Sequence, residues 1–232
     1  MLVYGRNVAK EVLRNDKKIK KITLQEGFDD KEINSLIEKR KIKVEYLNKK
    51  GFFKFDKFSH QGIILDIEDF SYADYTSFYD DENAKVVILD HLEDPHNLGA
   101  IVRTCEAAGI TGIIIPKDRS VEVNSTVMKT SAGALENVKI AQVTNLVSVI
   151  SDLKDNGFWI VGTAMENAVD YRDIDYTGKI ALVIGNEGKG MGNAVTKECD
   201  YIAKIPMYGK INSLNASVAA GIMIYEMISL DK

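Results

Sequence analysis

The sequence predicts an α/β chain in two domains: a small α/β domain over residues 1–67, an acidic linker over 68–84, and a Rossmann-like parallel sheet over 85–232. Three observations carry that reading. Short apolar runs alternate with helix-spaced apolar positions, the pattern of strands covered by helices. From Lys85 the runs become continuous apolar blocks, beginning with Val86-Val87-Ile88-Leu89, as strands buried on both faces require. Charge divides at the same place: residues 1–60 hold 16 Lys and Arg against 9 Asp and Glu, whereas the rest holds 14 against 25, so the net −4 conceals a basic first domain.

The elements follow in order. Val8, Val12 and Leu13 mark one face of a short helix, Ile19 to Leu24 reads as a strand, Ile33, Leu36 and Ile37 take helical spacing, and Val44 to Leu47 forms a second strand. A third strand runs from Gln61 to Ile67. Glu68 to Asn83 is rich in acids and lacks Lys and Arg, which suits a solvated connection. In the second domain the strands are Val86 to Asp90, Gly112 to Pro116, Val138 to Gln142, Phe158 to Thr163, Ile180 to Ile184 and Tyr201 to Ile205. Helices fall at 98–108, 124–133, 145–155, 191–198 and 216–229.

Composition removes several classes. Cys105 and Cys199 stand far apart, giving neither a disulfide framework nor a zinc pattern. His60, His91 and His96 offer no metal-ligand spacing, so no metal is expected. No apolar run approaches the roughly 18 residues a membrane span needs, and the expected setting is the reducing cytoplasm. The basic first domain is the natural footprint for a polyphosphate, with Lys17-Lys18-Ile19-Lys20-Lys21 its densest run; the same lysines also fit an ordinary solvated surface.

Three loops follow buried strands, where open α/β sheets bind ligands. The first is His91-Leu92-Glu93-Asp94-Pro95-His96-Asn97-Leu98-Gly99, with Asn97 as the expected helix N-cap. On the next helix Leu98, Ile101, Val102, Cys105 and Ala108 form an apolar stripe, and Arg103 lies about 160° from its centre, turned toward solvent or a partner. The second loop, Gly185-Asn186-Glu187-Gly188-Lys189-Gly190-Met191, has neither the G-x-G-x-x-G dinucleotide spacing nor a Walker Gly-Lys-Ser/Thr. The third runs from Ile205 through Met207, Ser213, Leu214 and Asn215 into an apolar helix. It can present main-chain groups and hydroxyls to a bound molecule.

Taken together, the loops resemble the three ordered motifs of the SpoU (TrmH-like) family of SPOUT methyltransferases. The first is Asp94-Pro95-His96-Asn97-Leu98-Gly99-Ala100-Ile101-Val102-Arg103-Thr104, the second Leu182-Val183-Ile184-Gly185-Asn186-Glu187-Gly188. The third is Ile205-Pro206-Met207 with Ser213-Leu214-Asn215-Ala216-Ser217-Val218-Ala219. Tyr4-Gly5-Arg6-Asn7 and His60-Gln61-Gly62-Ile63 resemble the ends of the family's ribosomal-protein-L30e-like RNA-binding domain. The resemblance implies a deep trefoil knot in the second domain, exceptional among folds. It implies S-adenosylmethionine held by Gly185, Ile205, Leu214, Met207, Thr163 and Ala164, with S-adenosylhomocysteine as product. It assigns Arg103, Asn97, Glu187 and Asn215 to catalysis of ribose 2′-O-methylation, while the expected substrate contacts are Arg6 and Ser213 in the motif segments together with Lys17, Lys18, Lys20 and Lys21, which charge alone marks. The implied partners are RNA, large-subunit 23S rRNA at a guanosine, and a second copy of the chain through the C-terminal domain.

Two other functions fit parts of the pattern: a tRNA ribose methyltransferase of the same family, and a non-catalytic RNA-binding or ribosome-assembly factor. Family tRNA enzymes generally lack the L30e-like domain, and the four motif residues stand in place, which disfavours both. A nicotinamide oxidoreductase is disfavoured by its glycine spacing.

Overall fold

Alternating apolar and polar positions in the first unit build a four-stranded sheet. β1 (Leu2–Tyr4), α1 (Arg6–Arg14), β2 (Ile19–Gln25), α2 (Lys31–Arg40), β3 (Val44–Leu47), α3 (Lys49–Phe52) and β4 (Ile63–Ile67) occur in that order. This computed structural model describes residues 1–15, 18–57 and 59–229. The strand order is β1-β4-β2-β3, with β4 antiparallel to both neighbours and β2 parallel to β3. Val3, Ile22, Leu24, Ile63, Leu65 and Ile67 are buried, and α1 packs on α2 and on the sheet. Asp30 caps α2 by accepting from the Ile33 amide at 3.2 Å. β1 and α3 were not expected: both are shorter than two periods of the pattern that would reveal them.

Contacts divide the chain into 1–71 with 123–129, and 72–122 with 130–232. The expected solvated linker is therefore not one segment. Its second part packs into the large unit, because its aromatics outweigh its acids. Phe78 is fully buried, Tyr75 and Tyr79 donate hydroxyl hydrogen bonds to Asp152 Oδ2 at 3.0 and 2.7 Å, and the Ala73 amide donates to the Ile140 carbonyl at 2.8 Å. The acids Asp81 and Glu82 face water.

The large unit contains β5 (Lys85–Leu89), α4 (Pro95–Ala107), β6 (Gly112–Pro116), β7 (Ile140–Val143), α6 (Leu146–Asp155), β8 (Trp159–Thr163) and β9 (Val169–Asp170). After these come β10 (Ile180–Ile184), α7 (Asn193–Glu198), β11 (Tyr201–Lys204) and α8 (Ala216–Met227); α5 (Ser125–Ser131) straddles the division between units. Strands run in the order β7-β6-β5-β10-β8-β11-β9, every pair parallel. The expected parallel sheet is present, with β9 added at one edge. Phe78, Val86, Ile88, Ala141, Leu146, Ile150 and Leu153 belong to one core cluster. Gly112 is small for a reason: a Cβ there would stand 2.3 Å from the Phe78 ring. α4 packs on α8, which also contacts β10.

β10 enters between β5 and β8, although it follows both in sequence. The carboxyl ends of β8, β10 and β11 consequently lie side by side, and the loops leaving them meet at one edge of the sheet. That reversal of winding is where doubly wound sheets open a crevice. Among the described residues, no helix is long and apolar enough to cross a membrane.

Candidate active site

The loops leaving β8, β10 and β11 enclose a cleft of about 590 Å³, within the range of small-molecule sites. Thr163, Ala164, Gly185, Ile205, Met207 and Leu214, the six residues expected to hold a cofactor, all line it, as do Glu187 and Ser213. Sequence reasoning did not single out Asn212, Met191, Thr196 and Met223, which are also part of the walls.

The loop after β10 is held closed by its own atoms. The Asn186 and Gly190 main chains exchange hydrogen bonds at 3.0 and 2.9 Å. Asn186 Oδ1 accepts from the Gly188 and Lys189 amides at 2.9 and 3.2 Å, and its Nδ2 donates to the His91 carbonyl at 2.8 Å. Gly185 permits this closure, since a Cβ there would lie 2.4 Å from the Gly190 carbonyl carbon and the Met191 nitrogen. Buried Asp90 steadies the far side: its Oδ2 accepts from the Gly192 amide at 2.7 Å, and its Oδ1 lies 2.5 Å from His91 Nδ1. Asn186 and Asp90 carry this loop and were not singled out. The available signal for Asp90 was a carboxylate at the end of a buried strand.

The loop after β11 is different. Among the described residues, the main chain of 206–214 makes no hydrogen bond. Its amides and carbonyls remain available to whatever enters the cleft. This suits a cofactor recognised through main-chain groups.

Three motif residues form one chain of side-chain hydrogen bonds. Asn97 Nδ2 donates to Glu187 Oε1 at 2.7 Å, and Asn215 Nδ2 donates to Asn97 Oδ1 at 3.0 Å. Asn215 Oδ1 meanwhile caps α8, accepting from the Ser217 and Val218 amides at 2.9 and 3.4 Å. Asn97 is not the N-cap of α4. Asp94 takes that place, accepting from the His96 amide at 2.8 Å, because Pro95 starts a helix with its φ preset and no amide to satisfy. Relieved of capping, Asn97 is 7 % exposed and ties two motifs together.

The fourth motif residue stands apart. Arg103 is exposed on α4, opposite buried Leu98, Ile101, Val102 and Cys105, does not line the cleft, and has no ion-pair partner among the described residues. In the first unit, Arg6 donates to the Asp29 carbonyl at 3.2 Å, pairs with Asp30 at 3.7 Å and stacks 4.9 Å over Phe28. Lys18 pairs with Glu68 at 2.8 Å and Lys21 with Glu45 at 2.7 Å, while Lys20 lies in the field of Asp69. Lys17 is outside the described residues. The expected footprint is thus largely neutralised by its own neighbours.

Thiolate chemistry has no support here. Burial, with Asp200 adding to it, pushes the Cys199 thiol up to about 12, and burial raises that of Cys105 as well. Among the described residues, no three His, Cys, Asp or Glu side chains form a metal-holding group.

Comparison with known proteins agrees with this geometry. The SpoU rRNA methylase family profile matches residues 84–225, and a profile for RNA 2′-O ribose methyltransferase substrate binding matches 2–73. A Staphylococcus aureus chain assigned to the TrmH family of tRNA/rRNA methyltransferases is 44 % identical over 97 % of this chain and 94 % of its own. The crystal structure of an AdoMet-bound rRNA methyltransferase from Sinorhizobium meliloti covers 99 % of this chain and 87 % of that one, at 28 % identity and a TM-score of 0.81. A TrmH/SpoU tRNA modifying enzyme from A. aeolicus is 35 % identical but covers only 62 % of this chain and 74 % of its own, with a TM-score of 0.57.

Proposed function

The chain belongs to the SpoU rRNA methylase family, and from that premise we propose that this S-adenosylmethionine-dependent RNA methyltransferase modifies a ribose 2′-hydroxyl of large-subunit 23S rRNA, at a guanosine, in the cytoplasm. The single observation that carries the proposal is the convergence of six expected cofactor residues on one cleft beside the Glu187–Asn97–Asn215 chain. In this reading the second domain carries the family's trefoil knot, formed by the segments that contain the loops at 185–191 and 205–215.

Bound in the cleft, S-adenosylmethionine supplies an electrophilic methyl group on sulfur. Thr163, Ala164, Gly185, Ile205, Met207 and Leu214 hold it through the main-chain groups and apolar surface they present. The attacking 2′-oxygen would develop negative charge as its proton passes to water or to the second oxygen of Glu187, so a fixed cation or donor beside it would lower the barrier. Arginine stays protonated at neutral pH, and Arg103 fits that stabilising role better than the role of base. Glu187 has one oxygen committed to Asn97, leaving the other for a substrate hydroxyl. Ser213 borders the same space.

Arg103 does not face the cleft of its own chain, which favours a homodimer through the C-terminal domain in which each arginine serves the other copy. The outer side of α8 supports this, with Val218 50 % and Tyr225 53 % exposed. Arg103→Ala is expected to abolish transfer while leaving methyl-donor binding intact, measured by labelled-methyl incorporation beside calorimetry. Mixing it with a cleft-disabled variant should recover activity. Normal turnover by Arg103→Ala would remove the assignment.

Our preference for rRNA over tRNA rests on solved structures: one named for an rRNA methyltransferase covers 99 % of the chain, whereas one named for a tRNA modifying enzyme covers 62 %. Labelled-methyl transfer to rRNA and tRNA from a strain lacking this gene tests the choice. Label is expected in 23S rRNA; label confined to tRNA would reassign the substrate, and no labelled RNA would favour an assembly factor.

A further inference from the structure

We infer that the free edge of the first unit, β3 with the α3 turn that follows it, is the surface that captures unpaired bases of the RNA. This deepens the methyltransferase reading and rests on it.

β3 ends the sheet order β1-β4-β2-β3, so residues on and just after it stand at one border of the unit. The segment 41–57 carries Lys41, Lys43, Lys49, Lys50, Lys54 and Lys57 against only Glu45 and Asp56. Glu45 is taken by Lys21, and Asp56 lies 3.6 Å from His60. Among the described residues, Lys41, Lys43, Lys49 and Lys50 have no carboxylate partner. Elsewhere in the unit Lys10, Arg14, Lys18 and Lys21 are each paired with an acid, while among the described residues Lys20, Lys31 and Lys39 are also unpaired.

Aromatic rings stand among these free cations. Phe53 is 76 % and Tyr46 61 % exposed, so both rings are open to a partner. The turn itself holds Phe53 out. Asn48 caps α3 by accepting from the Gly51 amide at 3.0 Å, and Phe52 is buried against Phe55 and His60, with ring centroids 5.8 and 4.9 Å away. With Phe52 turned inward, Phe53 must point outward. Lysines without counterions attract a phosphate chain, and open ring faces accept stacked bases. A duplex keeps its bases stacked on one another, so loops or single strands are the RNA such a surface selects.

The test uses the full chain, with fluorescence anisotropy against a hairpin bearing an unpaired loop and a blunt duplex of equal length, across a salt series. Lys49→Glu with Lys50→Glu is expected to weaken both RNAs at least about tenfold and to flatten the dependence of log affinity on log salt by roughly 0.7–0.9 for each phosphate no longer neutralised. Tyr46→Ala with Phe53→Ala should weaken the hairpin by roughly tenfold and leave the duplex unchanged. Lys18→Glu with Lys20→Glu, as the alternative footprint, should do less than the Lys49 and Lys50 pair. Wild-type hairpin affinity and salt slope in the first two variants would overturn the inference, as would equal competition by polyglutamate. Methyl-donor binding is read on every variant as the measure of folding. If the variants bind RNA normally while wild type still methylates it, only this surface fails; if wild type transfers no methyl group to any RNA, the functional reading fails first.

Discussion

The two loops that close the cleft use their main chains in opposite ways. The main chain of 186–190 bonds to itself and to the Asn186 side chain, whereas among the described residues the main chain of 206–214 makes no hydrogen bond. The first loop is a finished wall that needs no ligand to take shape. The second keeps its donors and acceptors unmatched and exposes Tyr208 at 90 % and Ile211 at 75 %. A site built this way has one rigid side that defines position and one side whose main-chain groups can exchange water for the bound molecule.

The severest challenge to that contrast is Gly185→Ala. Its Cβ would press into the Gly190–Met191 backbone at 2.4 Å, where no side chain can swing aside. Overpacking of this kind costs typically about 1–3 kcal/mol, and a backbone obstacle belongs at or above about 3 kcal/mol. Urea denaturation should show that loss together with failed donor binding. A wild-type midpoint with normal binding would mean the finished wall yields freely, and the contrast with its neighbour would disappear.

Hydrogen exchange sharpens the other half. Without donor, amides of 207–214 should exchange rapidly while those of Asn186 and Gly190 are protected. At a donor concentration of about 100 times Kd, exchange in 207–214 should slow by up to roughly 100-fold, since binding must be lost before opening. Asn186 and Gly190 should change little. Equal protection of both loops before donor is added would show that the second wall is already built.

Much of this was legible from residue patterns because burial writes itself as periodicity. The six main strands of the large sheet and the outward side of Arg103 follow from apolar spacing. What escaped were features decided by partners distant in sequence. Asp94 displaced Asn97 from the cap through Pro95, a local signal that was present, but the destination of Asn97, Glu187, lies 90 positions away. The lysines at 18 and 21 looked like a free basic run until Glu68 and Glu45 were found beside them. Tyr75 and Tyr79 read as part of a polar connection, although Asp152 and the core claim them. Strand order, which sets the site by placing β10 between β5 and β8, leaves no trace in composition at all.

The mildest perturbation separates shape from chemistry where the rigid loop meets α8. Asn215 does two jobs with two atoms: Oδ1 caps the helix, and Nδ2 donates to Asn97. Asn215→Asp keeps an acceptor at the cap and adds charge that a helix N-terminus favours by about 0.3–1 kcal/mol, while deleting the donor. Asn97 would then turn its own amide toward the new carboxylate and release Glu187. Stability should therefore stay within about 1 kcal/mol of wild type, donor binding should persist, and methyl transfer should fall. Asn215→Ala offers the complement, losing the cap at a cost of about 1 kcal/mol as well as the donor. If Asn215→Asp transferred methyl groups at the wild-type rate, the hydrogen-bonded trio would be an anchor for α8 alone, and the rigid wall would owe nothing of its chemistry to the alignment of Glu187.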